Sequence, residues 1–570
     1  MQSPPSFITY CLVVLLSVFG SLPFAVQSQT VNLTIPSNRY AVDYSNHLIV
    51  VNSQNSYPNT AAATLVSIDL DQTYSFNTVP SELENGVGYE VSNLTDEYTL
   101  FFSPLPLLSI NTDSAIVDEP AVHGTITFSE PESEPLISHL GIETRGGFSQ
   151  TYPKKSFRFD LWEDATGEVK NNLSLAGMRE DDDWLLTAMY NEPLRIRNIS
   201  GQKLWSDIHT LYYVTEQPDA KSTIDAHYVD VFTNGNYQGV YLLTERIDRK
   251  LLQLEKFEVE PRGELYKGVT WGASQYYNCP PYNNNLRIWS GFEMQYPKED
   301  EFTDWENLYN AVNLIVSGTE LDIDQEFLEQ FEIDNMVDYF VFLNLLHATD
   351  NLGKNVYVAK YNQNHPYFFI PWDLDGVFGT QYAGEQDTSH SNILGNGLYS
   401  RLMGDNHHYF FSRAAVRWFE LREEEFDENA LIERLSENIN LLQISGAYER
   451  EELIWSDFEY DESNQTYMFN WIHNRLEFLD EYFSTFLSVQ EQEQVSILIY
   501  PNPTTGLIRV ESSSRILGTE IIDRLGRSVS VASNRYTSGQ LDLTALPSGL
   551  YHIRFILEES TQVQSIIKTE

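Results

Sequence analysis

The stretch "HATDNLGKNVYVAKYNQNHPYFFIPWDLDGVFG", His347 to Gly379, sets three carboxylates and several Asn among the aromatics and aliphatics of buried strands. Its runs "KNVYVAKY" and "HPYFFIPWDLD" flank a short "NQNH" turn, which predicts an antiparallel hairpin. A helical period ends near His347, and a loop carrying Asp350, Asn351, Lys354 and Asn355 enters the hairpin. At the exit, "WDLDG" places Asp373 and Asp375 before the turn residue Gly376. A hairpin returns the chain to the edge it left, so the Asp350 and Asp373 loops are expected side by side. Like charges that close raise a pKa and are unfavourable unless a cation lies between them. Carboxylates with an Asn carbonyl are the hard oxygen donors that suit Mg²⁺ and the phosphates it accompanies. Asp and Asn are also ordinary turn and cap residues, and that is the plainer alternative. Their concentration in one hairpin weighs against it.

Upstream, "GIETRGGFSQTYPKKSFRFDL" offers a complement. Gly146, Gly147 and Ser149 form a permissive turn before a strand that starts with Lys154 and Lys155, and Arg145 and Arg158 lie close by. Backbone N–H groups of such a turn can approach phosphate, and a strand lysine adds a fixed positive charge. An ordinary hairpin with surface lysines is the alternative. Arg197-Asn198 reads as part of a helix over "LRIRNISGQKLWSDI", most simply as a surface pair. Glu245 closes the buried-looking run "GVYLLTE", either as a site residue or as an ion-pair partner of Arg246 or Arg249.

The 570 residues exceed what one core organises, so three or four domains are expected. A 42% hydrophobic and 13% aromatic content supplies those cores and excludes wholesale disorder. Asp plus Glu number 82 against 35 Lys plus Arg, a net charge of −47. Such a surface repels nucleic acid and anionic membrane, which removes both as partners. The apolar run "ITYCLVVLLSVFGSLPFAV" followed by "QSQT" reads as a secretory signal peptide, residues 1–28. A retained anchor helix is the alternative, and Pro23 within the run opposes it. No later segment is apolar enough to span a membrane, so the mature chain is expected to have no transmembrane segment. Cys11 and Cys279 leave a processed chain with one thiol and no intrachain disulfide.

Residues 29–104 alternate strand and turn signals and predict a β-rich N-terminal module, a small sandwich. Two strand-like runs flank Asn234-Gly235, the strongest hairpin signal in the chain. Residues 300–348 and 405–485 read as helices. The segment 487–494 reads as a polar linker, and 495–570, with strands about every ten residues, as a separate β-sandwich.

With those blocks in view, residues 105–486 resemble the spore coat protein H (CotH) kinase-like family. The resemblance rests on "GIETRGGFSQTYPKKSFRFDL", "DDDWLLTAMYNEPLRIRN", "YVDVFTNGNYQGVYLLTERID", "HATDNLGKNVYV" and "IPWDLDGVFG", in that order. It implies an α+β, atypical protein-kinase-like two-lobed domain that binds ATP with Mg²⁺ or Mn²⁺. Laid on the kinase pattern H-R-D-x-x-x-x-N, Asp350 falls on the catalytic Asp and Asn355 on the metal-binding Asn. Lys354 then neutralises the transferred phosphoryl group, and Asp373, with Asp375 second, takes the metal. Lys154 or Lys155, Lys155 preferred, holds the phosphates with Arg145, and Glu245 lies near the adenine. The chain departs from the family where "RGGFSQ" puts Phe148 into the turn over the phosphates, and His347 stands three residues before Asp350.

The tail, with "YPNPTTG" and "LPSGLYHIRFI", resembles the C-terminal sorting domain of the type IX secretion system of Bacteroidetes. That implies handling by the type IX machinery and a secreted or cell-surface protein. The two resemblances together imply an atypical kinase acting on Ser or Thr of an extracellular protein. A non-catalytic surface scaffold and a calcium-stabilised structural protein are the rivals.

Overall fold

In the computed structural model the described residues are 29–570, less 54–56, 59–62, 132, 259–261, 299–301, 494–496, 513–514, 524–526, 528, 530–538, 558–560 and 570. The signal-peptide segment lies outside them. Strands and helices divide into two compact units. The first holds the described residues up to Ile199 with 224–246 and 435–462, and the second holds 200–223, 247–434 and 463–570.

The first unit is built on strands. "SFRFDLW" (Ser156–Trp162) buries every second side chain, as alternation predicts. It belongs to a closed seven-stranded barrel whose first strand, Leu107–Thr112, pairs in parallel with Ala226–Thr233. The barrel core is Leu, Ile, Phe and Val around Trp184 and Tyr241. Asn234 (φ 50°) and Gly235 (φ 77°) make the expected tight turn between Ala226–Thr233 and Asn236–Thr244, with Thr233 opposite Asn236.

Residues 29–103 differ from the expected sandwich. Seven strands pair as one mixed sheet: Gln29–Thr34 joins Ala63–Asp69 in parallel, and Leu48–Asn52 pairs antiparallel with Tyr40–Asp43 on one side and parallel with Glu97–Ser103 on the other. The sheet shares a core with the barrel through Leu48, Val50, Phe101, Leu107, Phe232 and Tyr237. Buried polar bonds reinforce that seam. Asp43 Oδ2 accepts the Tyr237 N–H at 2.8 Å, and Ser103 Oγ donates to Asp230 at 2.8 Å.

The second unit is organised by the helix Ile333–Leu346, whose residues from Asn335 on are all buried. A helix apolar all round belongs in a core, and its few polar groups must be satisfied. Asn335 accepts the Phe369 N–H at 2.6 Å and donates to the Phe369 carbonyl at 3.0 Å, fixing the helix to the strand Tyr367–Pro371. That strand and Lys354–Lys360 form the predicted hairpin, at the edge of a five-stranded sheet.

The helix Glu462–Glu493 runs through most of the segment expected to be a linker. "LSVQEQE" contains no Gly or Pro, and Gln and Glu are good helix formers, so nothing stops it earlier. Beyond it, two three-stranded antiparallel sheets contribute to one apolar core around Ile508, Leu541, Ile553, Phe555 and Ile566.

Candidate functional site

The central helix stops at Leu346 because His347 takes the left-handed conformation (φ 54°). A 3₁₀ turn, Thr349–Leu352, then presents Asp350 before the strand Lys354–Lys360 begins. Buried Asn351 ties the two ends of the hairpin together, donating through Nδ2 to the Asn355 carbonyl at 2.8 Å and to the Trp372 carbonyl at 2.7 Å. Trp372 N–H adds a bond to the Asn355 carbonyl at 3.0 Å, and Tyr339 OH holds the Asn351 carbonyl at 3.0 Å. Asn355 and Trp372 therefore face each other, and Asp373 follows directly. Asn355 (φ 53°) and Asp373 (φ 54°) both stand in the left-handed region, which Asn and Asp tolerate best.

Asp350 lies within electrostatic reach of both Lys354 and Asp373. Burial pushes its carboxyl up to about 6. The Lys354 charge opposes that rise and the Asp373 charge adds to it. Lys354 Nζ sits 3.9 Å above the Trp271 ring, which meets Tyr382 edge-on at 5.1 Å, so its charge is steered rather than free. Leu374 is buried where a Cβ on Gly201 would lie 2.7 Å from it, so the helix bearing Gly201 seats the "WDLDG" loop. Asp375 is half-buried. Asp373, Asp375 and the Asn355 amide carry the hard oxygen donors that a divalent cation takes, but among the described residues Asp350, Asp373 and Asp375 do not bring three ligand atoms within 4.8 Å of one another.

A second polar centre lies in the first unit. Lys154 is fully buried, with Nζ 2.6 Å from Glu451 Oε1 and 2.7 Å from the Val240 carbonyl. Burial pulls the ammonium down to about 8, against the pull of Glu451. Glu451 also accepts the Val240 N–H at 2.8 Å and meets Arg195 Nη2 at 3.3 Å. Lys155 points elsewhere, donating to the Gln150 and Tyr152 carbonyls of its own loop. Gly146 (φ 109°) opens that loop, Phe148 is exposed and packs edge-on to Tyr152, and Arg145 is half-buried at the end of its strand.

Gly239 (φ 99°) is required here, since a Cβ would come within 2.0 Å of Glu451 Oε1 and 3.0 Å of Lys154 Nζ. Gly239→Ala is expected to destabilise the protein by about 2–4 kcal/mol in chemical denaturation, adding left-handed strain to the displaced ion pair.

Glu245 is buried. It accepts the Asp225 N–H at 2.9 Å and pairs with Arg179 at 3.4 Å, while Arg246 pairs with Asp183 at 2.6 Å. Arg197 is not a surface residue: it is buried against Glu192. Sequence reasoning named Asn351 only as a member of the acid loop and did not single out Trp271, Arg195 or Glu451, which contact the candidate residues. Only Asn351 had a local signal, its place inside the acid loop. Separately, ligand atoms of Glu320, Asp405 and His407 lie within 4.8 Å of one another. Both His407 nitrogens already bond carboxylates and Arg401 pairs with Glu320, so that cluster is balanced without an ion.

Residues 142–479 match the family described as CotH kinase protein, and residues 498–569 match the secretion system C-terminal sorting domain. The tail marks the chain for handling by the type IX machinery and secretion to the cell surface. No helix among the described residues is long and apolar enough to cross a membrane. A comparison with curated proteins returned no match.

Proposed function

Because the chain belongs to the CotH kinase protein family, we propose that it is an atypical kinase at the cell surface, transferring the γ-phosphate of Mg-ATP to Ser or Thr of an extracellular protein. The observation that carries this is the half-buried Asp350, coupled electrostatically to Asp373 and Lys354 at the mouth of one hairpin. Asp350 accepts the hydroxyl proton of the substrate. Lys354, aligned by Trp271, offsets the charge that develops on the transferred group. Asn355 and Asp373, with Asp375 as a further donor, hold the metal, which supplies charge neutralisation on the phosphates when bound.

Of the two lysines Lys154 is the better-fixed candidate for the phosphate anchor, because Glu451 holds its ammonium while Lys155 is spent on its own loop; being without solvent contact, it would have to be uncovered as nucleotide binds. Arg145 flanks the same turn as a second cationic contact, and buried Glu245 braces the strand end that meets the adenine. Such catalysis is positioning plus charge stabilisation, so it needs rigid groups, and both centres are tied down by short hydrogen bonds.

Incubation of the purified protein with γ-labelled ATP, Mg²⁺ and secreted acceptor proteins tests the assignment. Metal-dependent labelling of Ser or Thr is expected. Absence of both labelling and nucleotide binding would leave a scaffold, and Ca²⁺ binding indifferent to nucleotide would favour a structural cation.

A pH profile follows from the raised Asp350 carboxyl. The base works deprotonated, so kcat/KM should fall about tenfold per unit below pH 6 and level off above it. Stability carries the opposite sign. A carboxyl raised in the fold contributes stability below its unfolded value, and that is lost as pH rises through about 6. The profile is checked against Asp350→Asn, which should remove the slope along with the rate.

A further inference from the structure

Apart from the acid hairpin, the second unit has a cavity of about 690 Å³, inside the range of roughly 300–1,000 Å³ typical of ligand sites. The helix Phe410–Arg422 supplies Arg413, Val416, Arg417 and Glu420, spaced as one side of a helix, and the central helix supplies Asp334, Val337 and Asp338. Tyr409, 71% exposed, joins Ile208, Thr210 and Ser412 in the rest of the lining.

Its backbone is unusual. Asn406 (φ 50°), His408 (φ 52°) and Tyr409 (φ 58°) all stand in the left-handed region. For a bulky side chain that costs roughly 1–2 kcal/mol, so neighbouring contacts must impose it. His408 does so, with Nε2 at 3.1 Å from the Ile323 carbonyl and its ring 5.6 Å from Phe327. The result is an aromatic ring presented to solvent at the cavity instead of packed in the core.

The charges around that ring are already matched. Arg413 reaches Asp334 at 3.4 Å and the His408 carbonyl at 3.0 Å. Arg417 donates to Asp338 at 2.7 Å and to the Ile208 carbonyl at 2.7 Å, and lies 3.5 Å from Glu420. The other Asp338 oxygen meets His209 at 2.9 Å. An anion entering here meets three carboxylates, and a cation meets two guanidinium groups. Either competes with pairs already formed, most strongly at Arg417–Asp338, where the carboxylate is 10% exposed, and little at the solvated Arg413–Asp334 pair.

A neutral ligand rich in hydroxyls escapes that penalty. Each hydroxyl both donates and accepts, so neighbouring hydroxyls can bridge the acid and the arginine of one pair without separating them. The C–H face of a sugar ring matches Tyr409 and Val416. We infer that this cavity binds a neutral saccharide, stacked on Tyr409 and hydrogen-bonded across the Arg413–Asp334 and Arg417–Asp338 pairs. The inference is independent of phosphoryl transfer.

Native electrophoresis of the intact protein through gels containing dextran, galactomannan, mixed-linkage β-glucan or anionic alginate provides the test. At least one neutral polymer should retard the protein. Tyr409→Gly should weaken that retardation about tenfold while melting no lower than the parent, because glycine relieves the left-handed strain. Arg413→Ala should weaken it as well, and labelling by ATP should be unchanged in both variants. Failure of all three neutral polymers, retardation by alginate alone, or unaltered binding by Tyr409→Gly would each overturn the inference.

Discussion

Asp373→Asn is expected to reduce phosphoryl transfer by roughly 10³-fold or more while the protein keeps its fold. Asn is the informative replacement. Residue 373 has φ 54°, which Asn accepts and Ala does not, so a loss of activity will not be confused with backbone strain. The amide preserves shape and hydrogen bonding but removes the charge proposed to hold the metal. It also removes the like charge near Asp350, so the Asp350 carboxyl should move slightly down while burial, the larger cause, keeps it raised. Two readouts therefore change together: transfer collapses, and the acid limb of any residual pH profile shifts slightly to lower pH. A variant that kept more than about a tenth of the parent rate would exclude Asp373 from the metal site, since one charged ligand is worth far more than that.

The second large effect belongs to Glu451→Gln. Glu451 compensates two buried cations, Lys154 at 2.6 Å and Arg195 at 3.3 Å, and all three side chains are essentially without solvent contact. Removing one partner of a buried pair leaves the other charge stranded, which costs about 3–5 kcal/mol. Denaturant unfolding of the variant should show a loss of that order. Nucleotide affinity, measured by calorimetry under conditions where the variant is folded, should fall too, because Lys154 is no longer aimed. A loss of less than about 1 kcal/mol would mean that the pair is solvated and that Lys154 is not the preorganised anchor.

The hairpin and its acids were legible because their determinants are local. The continuous apolar and aromatic strand runs, the "NQNH" turn and "WDLDG" all lie between His347 and Gly379, so local composition and turn chemistry suffice. The Asn234-Gly235 turn was readable for the same reason. Glu451 was not legible: it stands 297 residues from Lys154, in one more acidic helix of a strongly acidic chain. Closure of the barrel was equally hidden, since Leu107–Thr112 and Ala226–Thr233 pair across more than a hundred residues and each alone reads as a plain strand. The sandwich expected for residues 29–104 missed the seam at Asp43 and Ser103, whose partners Tyr237 and Asp230 are equally remote. Short-range patterns identify elements, whereas buried charge pairing decides how they combine.

The short helix Ala447–Ile454 carries Arg450 and Glu451 side by side. Arg450 pairs with Asp230 at 2.7 Å as Glu451 pairs with Lys154, so one dipeptide neutralises two charges sunk among strands made hundreds of residues earlier. During synthesis those strands leave the ribosome long before their counter-ions exist. A chain truncated before residue 447 would therefore bury Asp230 and Lys154 without compensation, a penalty of about 3–5 kcal/mol for each stranded charge.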